Sequence, residues 1–213
     1  MSFFDNARQS KFVKPEEKQE NISRLAGFYL DRLSVAETAS VHARSITLLT
    51  RSAASPIARA MFASMRDCQR LDVSIQVIVN QLEPADLLSD WMELSVSPVN
   101  TSATVELRWA RNPALSDAHE QMVLGTTFSW HGDCMRRDPE TRDAFETFEC
   151  FNAAVARRAT LSFAALWSKC KPVTITQTTR TAPLAGQVPH DVLNSLNGRL
   201  LPLIPGATAS TRH

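Results

Sequence analysis

The sequence predicts an α/β fold, a mixed sheet flanked by helices, and three observations carry that prediction. The stretch LDVSIQVIVN (71–80) alternates Val73, Ile75, Val77 and Val79 with Asp72, Ser74 and Gln76, the two-residue period of a half-buried strand. Upstream, ARSITLLT (43–50) is short, apolar and β-branched and reads as a buried strand. The segment between them, SPIARAMFASMRDC, repeats Ile57, Met61, Met65 and Cys68 along one helical face. Strand, helix and strand in that order make a βαβ unit, with parallel neighbours joined by a right-handed crossover.

The other elements follow along the chain. Residues 1–14 show no periodicity and are expected to be loose and disordered. From Pro15, suited to a first helical turn, the apolar residues Ile22, Leu25, Ala26, Leu30 and Leu33 fall at helical spacing and predict a helix over 15–33. Ser55 is a natural cap with Pro56 at the first position, predicting a helix over 55–68. Residues 84–103 are polar and broken by proline, with Trp91 in at most a helical turn. TVELRWA and QMVLGTT suit strands, separated by the loop RNPALSDAHE. DAFETFEC sets Phe145, Thr147 and Glu149 against Ala144, Glu146 and Phe148 and predicts a further strand. In 152–168, Val155, Ala159, Phe163, Leu166 and Trp167 form a helical stripe, read as core. The α/β domain thus spans 15–171. Residues 172–213 are a Thr- and Pro-rich tail with one short helix.

Composition excludes several classes. Of 213 residues, 44% are hydrophobic and 21% charged, the balance of an ordinary globular domain. No apolar run approaches the roughly 18 residues of a membrane span, and no secretory signal is evident, so a cytoplasmic location is expected. Cys68, Cys134, Cys150 and Cys170 contain no CxxC pair and read as free thiols, with Cys68 in the core. His131 and Cys134 form an isolated H-x-x-C; without a second pair no metal site is expected, and no cofactor is implied. The net charge of +1 argues against wholesale attraction to nucleic acid and leaves that partner open. Residues 169–213 nevertheless carry Lys169, Lys171, Arg180, Arg199 and Arg212 against Asp191 alone. They are either a plain solvated tail or a contact for phosphate or an acidic partner.

One stretch, SDAHEQMVLGTTFSWHGD (116–133), combines a histidine, a strand-like run and a Gly-Thr-Thr-Phe-Ser-Trp turn. Together with the βαβ opening, VELRWARNP before the histidine and FNAAVARRATLSFAALW after it, this order resembles one repeat of the phospholipase D-like superfamily, the H-x-K phosphodiesterases and nucleases, over about residues 40 to 168. The resemblance implies a histidine nucleophile at a phosphodiester, a lysine two positions on that balances phosphate charge, a glycine-hydroxyl turn and a hairpin aspartate. Here His119 matches the nucleophile, Thr126 the hydroxyl and Ser129 the polar residue after it. Gln121 stands where the lysine belongs, and Glu120 adds a negative charge. Gly125 follows His119 by six positions instead of about fourteen, so the aspartate and its hairpin are expected to be missing.

Active members of that superfamily bring two motifs together. A second repeat does not fit in 213 residues, so activity would require a homodimer. The charge-dense HGDCMRRDPETRD is either a solvated turn with local ion pairs or, through Arg136 or Arg137, a source of the phosphate contact that Gln121 lacks. The sequence therefore points to a non-catalytic phospholipase D-like module that binds a protein or a phosphate-containing partner. The alternatives are a divergent homodimeric phosphodiesterase or nuclease using His119, and an unrelated α/β protein in which His119 is a loop residue.

Overall fold

The structure, a computed structural model, describes residues 8–11, 14–36, 39–83, 85–95, 103–136 and 145–173. The chain divides after Ile175, and the helix expected in the tail lies outside the described residues. Eight strands form one sheet: β1 (Arg8–Lys11), β2 (Ser45–Thr50), β3 (Ser74–Val79), β4 (Val105–Trp109), β5 (His119–Leu124), β6 (Phe128–Cys134), β7 (Phe145–Glu149) and β8 (Lys171–Pro172). Their order across the sheet is β1-β7-β6-β5-β2-β3-β4-β8. β2, β3 and β4 are parallel, and the remaining pairs are antiparallel. The fold is therefore the mixed α/β sheet flanked by helices that the periodicities predict.

Among the described residues five α-helices flank it: α1 (Pro15–Ser34), α2 (Pro56–Ala63), α3 (Met65–Arg70), α4 (Ala85–Ser95) and α5 (Ala153–Trp167). Period-2 alternation divides the strand residues between two faces. Ile46, Leu48, Ile75, Val77, Val79, Met122, Leu124, Trp130 and Phe148 join Ile22, Leu25, Ile57, Met61, Cys68, Leu88 and Trp91 in the main core beneath α1 to α4. On the opposite face Leu49, Ile78 and Met135 pack with Phe163, and Val123 packs with Ala156 and Ala159. α5 thus covers this second face.

Several elements differ from expectation. Arg8–Lys11 is an edge strand paired with β7, held by backbone bonds that leave no trace in side-chain period. The helix expected over 55–68 breaks at Ser64, whose hydroxyl donates to the carbonyl of Ala60, a local bond that competes with helix continuation. The region around Trp91 is a helix of three turns, with that indole buried in the core. The largest difference is the Gly-Thr-Thr-Phe-Ser-Trp segment. Only Gly125–Thr127 turn, and Phe128 begins a seven-residue strand. Gly125 has φ of 58°, a left-handed conformation that glycine adopts without strain.

The β5–β6 hairpin carries a bulge. Gln121 lies opposite His131, but His119 lies opposite Cys134, so β6 spends one extra residue and re-aims its end. Gly132 sits within the bulge against the indole of Trp130, where a Cβ would overlap the ring. Because Trp130 is fully buried, it cannot swing aside. We expect Gly132→Ala to destabilise the fold by about 2 kcal/mol, read from the urea midpoint at unchanged m-value. A midpoint equal to that of the unaltered chain would refute the close-packing account.

Candidate functional site

β5 begins at the end of the sheet where parallel strands β2, β3 and β4 terminate, the usual ligand end of an open α/β sheet. His119 is its first residue and is exposed. Its Nδ1 lies 2.7 Å from the carbonyl oxygen of Gly132. A carbonyl only accepts, so Nδ1 donates and the neutral ring carries its proton there. Glu120 turns to the opposite face and is buried. Its Oε1 accepts from the Thr50 hydroxyl at 2.9 Å and the Arg51 amide at 3.0 Å. Gln121 returns to the α5 side, where its amide donates to the Ala159 carbonyl at 3.1 Å. The position of the expected lysine is thus tied to a helix backbone.

Thr126 and Ser129 do not gather at His119. Thr126 is in the turn at the far end of β5, five or more residues away and on the order of 20 Å along the strand. Ser129 is 0% exposed, pairs in register with Val123, and its hydroxyl has no hydrogen-bond partner; it is sealed beneath α5. Arg136 is exposed and ion-paired with Asp117 at 2.9 Å. Arg137 lies outside the described residues.

The hairpin expected to be absent is present. The glycine beside the histidine is Gly132, thirteen positions after His119, not Gly125. The residue after it is an acid, Asp133. Its Oδ2 receives Lys18 Nζ from α1 at 3.3 Å. Lys18 is 2% exposed and lies 5.9 Å from the centre of the Trp130 ring. Glu146, 1% exposed, completes the cluster, accepting from Asn21 Nδ2 at 3.0 Å and Trp130 Nε1 at 3.2 Å. None of these three charged residues was a sequence candidate, yet each left a signal. Lys18 falls four positions before Ile22 on the apolar stripe of α1, and Glu146 shares a strand face with Phe148. Asp133 follows the only glycine at the spacing of a hairpin return.

Electrostatics sort these groups further. Burial pushes Glu146 above the usual glutamate range, while the bonds from Trp130 and Asn21 and the charge of Lys18 pull it partly back, and Glu17 adds a smaller push upward. Burial lowers His131, and His119 nearby lowers it further, against the opposing pull of Glu149. Burial also pushes the thiols of Cys68 up to about 12 and Cys150 up to about 11, which suppresses thiolate chemistry there. Among the described residues no three His, Cys, Asp or Glu side chains come together as a metal site. Among them also, no helix is long and apolar enough to cross a membrane.

No protein-family model matches the chain, and no curated protein matches it. Solved structures do share its fold. One is TrmBL2, an archaeal chromatin protein whose structure shows a novel mode of DNA binding. It superposes with a TM-score of 0.52 and 12% identity over 81% of this chain, which spans 56% of TrmBL2. Another is Nuc from Salmonella typhimurium, a phospholipase D family member, with a TM-score of 0.50 and 12% identity over 78% of this chain and 98% of Nuc. The chain therefore has a phospholipase D-like fold.

Two outcomes test the buried cluster. Lys18→Met removes the ammonium that faces a buried carboxylate and should cost about 3 kcal/mol, whereas adding Asp133→Asn should restore most of that loss in urea titrations. Equal stability of the single and double variants would disprove the pairing. For Glu146 the native pKa lies above its unfolded value, so the native state holds the proton more tightly. That contribution to stability is complete below the unfolded value and is lost as pH rises through the native one. Glu146→Gln should remove this decline from the curve of stability against pH. An unchanged curve would count against it.

Proposed function

We propose that this chain is a non-catalytic phospholipase D-like module that acts by binding. The observation that carries the reading is the hydrogen bond from Gln121 to the Ala159 carbonyl. The side chain two positions after His119 is neutral and committed to α5, so it offers no charge to a phosphate. The cations around it have other duties. Lys18 is buried against Asp133, Arg51 Nε donates to the Met135 carbonyl at 3.1 Å, and Arg136 pairs with Asp117. A charge-assisted contact to a transferring phosphoryl group contributes a few kcal/mol, a factor of hundreds or more in rate. Asp133, in the position after the glycine, adds negative charge where the superfamily pattern carries a hydroxyl.

A second reading, a divergent homodimeric phosphodiesterase or nuclease, is favoured by the Nδ1 hydrogen bond of His119. A carbonyl that fixes the proton on Nδ1 leaves Nε2 as the basic nitrogen, the state a histidine nucleophile requires. In that reading a second copy supplies the paired motif across a two-fold axis. In the binding reading the partner is a protein or a phosphate-bearing molecule.

The two readings part in one experiment. Cleavage of bis(p-nitrophenyl) phosphate by the purified chain and by His119→Ala should be equal and indistinguishable from buffer. Turnover that disappears in the variant would overturn the binding module and establish the hydrolase.

A further inference from the structure

At the edge of the sheet opposite β1, four cations and two indoles come together. Arg108 and Trp109 end β4, and β8 pairs antiparallel to it, with Trp109 opposite Lys171 and Arg108 opposite Pro172. Lys169 lies in the turn that follows α5, two residues before Lys171. The buried Ala110 and Cys170 share a core cluster. The guanidinium of Arg108 lies 4.3 Å from the centre of the Trp167 ring and donates to the Trp167 carbonyl at 2.8 Å. The guanidinium of Arg111 lies 5.2 Å from the centre of the Trp109 ring. The Trp109 indole is itself anchored, its Nε1 donating to the Asn80 carbonyl at 3.3 Å.

Arg108 has a structural role at the end of α5, where a cation meets the negative end of the helix dipole. Arg111 and Lys171 have none of that kind, and Lys169, in the turn after α5, adds a second cation at that helix end. All three are exposed, and none forms an ion pair with a described residue. Lysines alone would suffice to keep an edge strand from pairing with another chain, but that role does not need a guanidinium spread over an indole. Such a guanidinium is a pre-ordered flat cation, and bases of single-stranded nucleic acid stack on such planes while lysines take the phosphates.

We propose that the edge formed by Trp109, Arg111, Lys169 and Lys171 binds single-stranded nucleic acid. The partner is recognised by an ordered guanidinium–indole plane flanked by two lysines. This edge lies three strands from His119, roughly 14 Å at ordinary strand spacing, and its binding does not depend on chemistry at His119. It supplies a partner for the binding role proposed above, and loss of that role through detected hydrolysis would leave this surface standing.

The test is fluorescence anisotropy of the full chain with a fluorescein-labelled oligothymidylate of about twenty nucleotides. Two lysine–phosphate contacts predict a slope of log affinity against log salt of about −1.4. Arg111→Glu and Lys171→Glu should each weaken binding by about tenfold or more. Arg111→Lys, which keeps the charge and loses the plane, should weaken it with the salt slope unchanged. Arg157→Glu, the same change of charge on the exposed side of α5, should leave affinity nearly unaltered. Circular dichroism checks that each variant is folded. Four outcomes would overturn the proposal: no binding at low salt, equal loss in the α5 variant, Arg111→Lys binding as the unaltered chain does, or a duplex of the same length binding as tightly as the single strand.

Discussion

A lysine ammonium and two carboxylates buried at one end of the sheet are the constraint around which the rest is arranged. Removing such groups from water costs several kcal/mol each, recovered only where partners are placed well. Here three separate elements supply them: Lys18 from α1, Asp133 from β6 and Glu146 from β7. Asn21, one turn after Lys18 on α1, donates to Glu146. Two polar contacts thus fix the rotation of α1 over the sheet, where its apolar stripe alone would tolerate sliding. Trp130 lies between the charges, offering its ring to Lys18 and its N–H to Glu146. The cluster gives this end a definite register at the cost of desolvation, which a wholly apolar packing would avoid.

That arrangement also decides what His119 can be. The ring of Trp130 needs the space above Gly132, and the bulge that brings Gly132 there turns Asp133 inward to Lys18 and leaves the Gly132 carbonyl facing His119. One backbone distortion therefore serves the core and orients the histidine. The same distortion uses Lys18 internally. The end of the sheet that would need positive charge for phosphoryl chemistry has its nearest buried cation neutralised by a carboxylate. The Nδ1 contact of His119 to the Gly132 carbonyl thus follows from packing at the bulge.

The parts of this fold legible in the sequence are those in which side-chain period reports burial. β3 alternates because one face meets the main core and the other is half covered, and α1 and α5 show their stripes for the same reason. β6 was hidden because Trp130, Gly132 and Asp133 break its alternation at the bulge, and a turn reading of GTTFSW absorbed its first residues. β1 was hidden because its pairing with β7 is a backbone ladder, which leaves no mark on the side-chain period. The site was less legible still. Taking Gly125 as the glycine of the motif placed Thr126 and Ser129 in its cradle, but sequence spacing cannot tell a turn at the far end of a hairpin from one beside the histidine. The buried charges followed a rule that periodicity does state: a lysine on an apolar stripe and a glutamate on an apolar strand face need partners. Which partners they find depends on contacts more than a hundred residues apart, as with Lys18 and Asp133.

The distribution of cations gives the two ends of this argument a common basis. Near His119 each described cation has a carboxylate or a carbonyl as partner, so an arriving phosphate would have to compete with a contact already made, and in the case of Lys18 with one shielded from water. At the β4–β8 edge Arg111 is exposed and held by a ring, which orients a guanidinium without neutralising it, and Lys169 and Lys171 are exposed with no ion pair among the described residues. A ring leaves the full charge available to a ligand, whereas a carboxylate cancels it. Two regions of similar charge count therefore differ in their capacity for anions. The difference arises from partner chemistry, and net charge of +1 for the whole chain conceals it.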